Sequence, residues 1–225
     1  MSDEDNKSLN QSSISITDEM KKYYLMAVQK GNHNAMNKFK KKFIWVFGTL
    51  LVFLLLFMLI IGPLIKIQTK KQSPEQNITY NQGDLKLNVF YCSPIKKNRV
   101  IFGELIPYGK VWRTGANEAS TFSTNKDLMI DGKSLAKGVY TLWTIPNENS
   151  WQIIFNSKMY DWGVKYTDQT ASRDPENDVL IVTVPVSKSL TNIEKFTISF
   201  TENKAGTLMI LAWDTVVVPV LLQEK

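Results

Sequence analysis

Between Phe43 and Ile65 the chain reads FIWVFGTLLVFLLLFMLIIGPLI, 23 residues without a charge. At about 1.5 Å rise per residue, a helix of that length covers the roughly 30 Å hydrocarbon core of a bilayer with slack for tilt. A core helix of a soluble protein carries an apolar stripe rather than apolar faces all round, so residues 43–65 read as one transmembrane helix. A cleaved signal peptide starts in a similar way, but its apolar stretch is shorter and ends at a small-residue cleavage site. Here 42 residues precede the run, and neither such a site nor a lipid-attachment cysteine follows it. An uncleaved signal anchor fits better. Gly62 and Pro63 fall near its far end, where a break in the helix costs little.

The anchor also partitions the charge. The chain carries 27 Lys and Arg against 21 Asp and Glu, a net +6. Residues 1–42 hold +3 of this and residues 43–71 the other +3, while residues 72–225 carry 16 basic and 16 acidic side chains. A neutral C-terminal part excludes nucleic acid as its main partner, because duplex binding needs a basic face to neutralise phosphates. Lys38, Lys40, Lys41 and Lys42 crowd the N-terminal edge, with Lys21, Lys22 and Lys30 behind them, against Lys66, Lys70 and Lys71 on the far side. That bias predicts a single-pass protein of the cytoplasmic membrane, N-terminus inside and C-terminal domain on the periplasmic side.

The resulting organisation is a cytoplasmic tail with a short helix (1–42), a transmembrane helix (43–65), a linker (66–84) and an exported domain (85–225). The first 17 residues have too few apolar side chains to fold alone. A short helix follows, with Thr17 as N-cap, Asp18 and Glu19 in its first turn and Gly31 just past its end. Met20, Tyr24, Ala27 and Val28 share one face, which suits the inner leaflet or a partner subunit as well as a weakly helical linker. His33, the only histidine, reads as an exposed linker residue.

Beyond the polar spacer, short β-branched and aromatic runs are punctuated by Gly, Pro, Asn and Asp. Expected strands are 85–91, 100–105, 120–125, 128–130, 139–145, 151–156, 179–184, 196–201 and 207–214, with a further run at 215–222. Asp131-Gly132 marks a hairpin, and Phe196, Ile198 and Phe200 alternate with Thr197, Ser199 and Thr201. The fold class is all-β, a β-sandwich of jelly-roll or immunoglobulin-like kind, with a barrel as the alternative. Cys92, the only cysteine, cannot form an intrachain disulfide and reads as a small buried residue.

With no histidine after residue 33, the exported domain cannot hold a Ser-His-Asp or Cys-His site or a His-based metal centre. Catalysis would rest on carboxylates such as Glu104, Glu118 and Asp161, as in glycan hydrolysis. No cofactor is expected. Asp174, Glu176 and Asp178 alternate in a way that could collect calcium, but they lack the glycine and distal glutamate of an EF-hand loop, and a turn before the next strand explains them as well. Lys96, Lys97 and Arg99 read as a solvated basic loop.

The densest unusual run is Tyr108-Gly-Lys-Val-Trp-Arg-Thr-Gly-Ala-Asn-Glu-Ala119. Together with Ser93-Pro94, Ile101-Phe102-Gly103, Leu105 to Pro107, Gly138-Val-Tyr-Thr-Leu142, Ile145-Pro146, Trp162-Gly163 and Asp178 to Pro185, it resembles the bacterial domain of unknown function family 2911 over residues 86 to about 215. The resemblance implies an exported, β-rich cell-envelope domain and assigns no catalytic role. Members usually carry a cleavable signal, so the retained anchor and lysine-rich tail depart from the pattern. Two readings of the run stand side by side. In one, Tyr108, Trp112, Arg113, Asn117 and Glu118 form a polar cluster able to grip a sugar or peptide; in the other, which is favoured, Arg113 and Glu118 pair to brace a strand connection. The functional expectation is a membrane-anchored, non-catalytic β-sandwich held in lipid through residues 43–65 and binding an envelope glycan, peptide or membrane protein. The alternatives are a carboxylate enzyme and an accessory subunit of a membrane complex.

Overall fold

The computed structural model describes the backbone of residues 3–225 and the side chains of residues 19–33, 36–62, 64–65 and 67–225. The chain divides into two compact units at Leu64/Ile65. The first unit is helical. Helix α1 (Asp3–Leu56) is followed by a π-helical turn, Phe57–Ile61, and by helix α2 (Gly62–Gln72), which leads into the second unit. From Phe43 to Ile61 the large apolar side chains are exposed on every face of the helix. Among the described residues this is the one helix long and apolar enough to cross a membrane.

The short helix and unstructured tail expected before the anchor are corrected to one continuous helix. No proline occurs before Pro63, and once a helix is nucleated each further residue is added at little cost. Gly31 does not end it, since its backbone has no left-handed φ and a Cβ there would meet nothing within 4 Å. The expected Thr17 cap lies outside the described side chains. The break expected at Gly62-Pro63 is instead absorbed by the wide π turn, in which Gly62 N–H bonds Phe57 O.

The second unit is a sandwich of two antiparallel sheets. Its strands are β1 (Glu75–Gln82), β2 (Leu85–Cys92), β3 (Ser120–Thr124), β4 (Leu128–Ile130), β5 (Lys133–Leu135), β6 (Gly138–Pro146), β7 (Ser150–Asn156), β8 (Asp178–Pro185), β9 (Ser187–Asn203) and β10 (Gly206–Glu224). The first sheet runs β1-β2-β3-β6-β7-β8 and the second β5-β4-β10-β9, so among the described residues no barrel closes. Alternating inward residues of both sheets form one core, with Val89, Phe122, Ile153 and Phe155 from one and Ile198, Leu211, Val218 and Val220 from the other.

Three expectations are corrected. The linker holds a strand, β1, whose polar sequence EQNITYNQ pairs along its whole length with β2. An edge strand needs only one partner and a half-buried face, which a polar run can supply. Val100–Leu105 is a knot of turns instead of a strand. Gly103 takes a φ of +94°, Ile106 N–H bonds Ile101 O and Gly103 N–H bonds Ile106 O. The two last runs form a single strand, β10, bent where Asp214 adopts a φ of +57° and the pairing with β9 slips.

Candidate functional site

The long connection from β2 to β3, residues 93–119, contains the twelve-residue run and is folded against one end of the sandwich. Trp112 pairs its backbone with Thr144 of β6 and donates Nε1–H to Gly115 O at 2.9 Å. Its ring packs among Phe102, Trp151, Phe196 and Trp213. After it the chain turns tightly, with Thr114 and Asn117 held at left-handed φ values of +55° and +57°. Gly115 has a φ of +155°, and a Cβ there would lie 2.9 Å from Cys92 O, so only glycine lets the loop lie on the end of β2.

Glu118 looks away from Arg113. Its Oε1 accepts from Lys70 Nζ at 2.5 Å and its Oε2 accepts the Cys92 thiol at 3.1 Å. Lys70, from α2, also pairs with Glu75 at the start of β1. Burial alone would raise the Glu118 pKa, but the hydrogen bonds from Lys70 and Cys92 outweigh it and hold the carboxyl below its ordinary value. Burial likewise opposes the charge on Lys70, and the bonds to Glu118 and Glu75 outweigh it, so the ammonium is raised. Burial, followed by the Glu118 carboxylate, pushes the Cys92 thiol up to about 11. Cys92, the last residue of β2, is thus buried as expected, yet it sits in a polar cluster as a protonated donor.

The expected Arg113–Glu118 brace is therefore corrected. Lys70 takes Glu118 as well as Glu75, while the Arg113 stem is laid on Gly163. A Cβ at Gly163 would fall 2.2 Å from Arg113 Cδ, and Gly163 N–H bonds Asn117 O at 3.0 Å. Among the described residues no carboxylate pairs with Arg113. Its Nε is buried without a hydrogen-bond partner, and burial lowers the Arg113 pKa.

Arg113 and Asn117 line a cavity of about 850 Å³, with Trp112 and Trp213 in its wall and Gln68 and Gln72 of α2 along one side. Of the five expected ligand residues, the structure brings Trp112, Arg113 and Asn117 to this cavity and leaves out two. Glu118 belongs to the Lys70 cluster, and Tyr108 is exposed with its ring over Gly103. Glu104 and Asp161 are both exposed and outside the cavity wall. Lys70 carries no motif and was legible only as a flanking lysine.

The calcium alternative is also corrected. Asp174 caps the 3-10 turn Pro175–Asn177 and binds Lys158 at 3.2 Å, while Asp178 is held by Arg173 and Asn156. Asp174 and Asp178 are thus engaged with cations, and among the described residues no group of three or more His, Cys, Asp and Glu is placed to hold a metal.

The family model for "Protein of unknown function (DUF2911)" matches residues 73–222. The match covers two-thirds of the chain and takes in both sheets, the Lys70-facing Glu118 and most of the cavity wall, so the chain belongs to this family of β-rich domains. No curated protein matches it. No solved structure matches it.

Proposed function

We propose that this is a single-pass membrane protein that holds a non-catalytic binding domain outside the cytoplasmic membrane. Its α1 anchor sits in lipid with the N-terminus inside, and its β-sandwich faces the periplasm and takes an envelope glycan or peptide into the Trp112–Arg113–Asn117 cavity. The observation that carries this reading is that Trp112, Arg113 and Asn117, all from the twelve-residue run, line one cavity large enough for a small ligand.

The carboxylate-enzyme reading is weaker. Glu118 has a second carboxylate nearby in Glu75, but both are bound to Lys70, and Glu118 is held ionised, whereas a general acid for glycan cleavage needs a raised pKa. Calorimetric titration of the full chain in detergent micelles with peptidoglycan fragments tests the binding reading. Fragments should bind the natural chain and fail with Ala116→Trp, which fills the cavity. Equal binding by both chains contradicts the reading, as does no binding to the natural chain. A reporter that works only in the cytoplasm, active when fused after Lys225, contradicts the orientation.

A further inference from the structure

Residues 72–225 carry no net charge, yet the cavity wall is not balanced. Lys97, Arg99, Lys110 and Arg113 all line it, and no aspartate or glutamate does among the described residues. Of the acids beside it, Asp214 is paired with Lys96 at 2.5 Å, while Glu194, whose Oε1 accepts the backbone N–H of Lys97 at 2.8 Å, and Asp168, whose Oδ1 accepts from Thr170 of the wall, set two carboxylates against the four cations. None of the four cations has a carboxylate partner among the described residues. Arg99 Nε and Nη2 donate to the carbonyls of Lys96 and Ile95, which holds the guanidinium without neutralising it. The rest of the wall is largely apolar or aromatic, with Ile106, Val111, Trp112 and Trp213. Cations around a concave surface with low-dielectric walls focus a positive potential into it.

We infer that the ligand of this cavity is an anion, a phosphate or carboxylate, carried on an apolar or ring-bearing body that packs against Trp112. The inference rests on the binding reading above and names the chemical class it left open. Arg113 supplies planar donors suited to two oxygens at once. Lys97, Arg99 and Lys110, all exposed, contribute at the rim. The same headgroup chemistry could come from a soluble envelope molecule or from an anionic lipid, and Gln68 and Gln72 of the wall follow the apolar run by only three and seven residues in sequence.

The test uses the full chain in nanodiscs of phosphatidylcholine, titrated calorimetrically with phenyl phosphate and with neutral phenyl β-glucoside. Phenyl phosphate should bind at least tenfold more tightly than the glucoside, and its affinity should fall as salt is raised. The double variant Lys97→Gln, Lys110→Gln changes only exposed side chains and should weaken phenyl phosphate at least threefold while leaving the melting temperature in place. Nanodiscs containing phosphatidylglycerol separate the sources. Competition with phenyl phosphate assigns the site to lipid, and undiminished phenyl phosphate binding assigns it to a soluble anion. Equal affinity for the two phenyl probes overturns the anion inference and leaves the binding reading intact. No binding of either probe overturns both.

Discussion

Lys70 Nζ and Glu118 Oε1 stand 2.5 Å apart, joining the last turns of α2 to the loop that precedes β3. Both side chains are about four-fifths buried, at 21% and 20% exposed, and Glu118 also accepts the Cys92 thiol. One carboxylate thus ties three chain segments that lie 22 to 48 residues apart.

Glu118→Gln should lower the stability of the second unit by about 1–2 kcal/mol, since it leaves Lys70 with only Glu75 and weakens the acceptor for Cys92. The pH dependence has a definite sign. Glu118 is depressed below its ordinary 4.5, so its contribution is present above that value and fades as pH falls below it. Lys70 is raised above 10.5, so its contribution is full below that value and fades as pH climbs past it. Thermal melting followed by near-ultraviolet circular dichroism should show the acid-side loss in the natural chain and a reduced one in Glu118→Gln.

Cys92 should resist alkylation in the folded chain at pH 8 and react only on unfolding. Its thiol is buried and raised from 9.0 to about 11, which leaves almost no thiolate. A raised folded pKa stabilises the protonated native state below pH 9, and this contribution is lost between pH 9 and 11. Iodoacetamide labelling read by mass spectrometry checks the first statement, and melting of Cys92→Ala against the natural chain over that alkaline window checks the second.

Gly163→Ala should destabilise by about 1–3 kcal/mol, because the new methyl would collide with the Arg113 stem at its Cβ, Cγ and Cδ. Arg113→Ala in the same chain should return part of the loss. A double-mutant cycle measured by chemical denaturation gives the coupling.

Much of the fold was legible because burial repeats along a strand. Phe196 and Ile198 point inward and Thr197 outward, as their alternation required. The anchor was legible for the opposite reason, since it lacks any polar face. Strand β1 was not legible, because an edge strand makes few demands on its side chains. The Lys70–Glu118–Cys92 cluster and the cation-lined cavity were hidden by sequence distance. Lys97, Arg99 and Lys110 look like surface lysines and arginines until the turns around Gly103 and Gly115 bring them to one cavity whose lining, among the described residues, holds no acid.

Asp178→Asn should cost about 3 kcal/mol or more. Arg173 and Asp178 are 10% and 8% exposed, and removing one partner leaves the other charge buried. Chelation by EDTA should leave the melting temperature unchanged, because Asp174 and Asp178 are engaged with Lys158 and Arg173.

The central claim is that the cavity beside Trp112 is a ligand site. Fluorine magnetic resonance of the full chain carrying 5-fluorotryptophan reads it most directly, with the six tryptophans assigned by single Trp→Phe changes. On addition of phenyl phosphate, the Trp112 and Trp213 resonances should move while Trp143, buried in a separate cluster with Ala119 and Ile154, stays in place. Unmoved Trp112 and Trp213 resonances, or shifts confined to Trp45 and Trp162, would contradict the account.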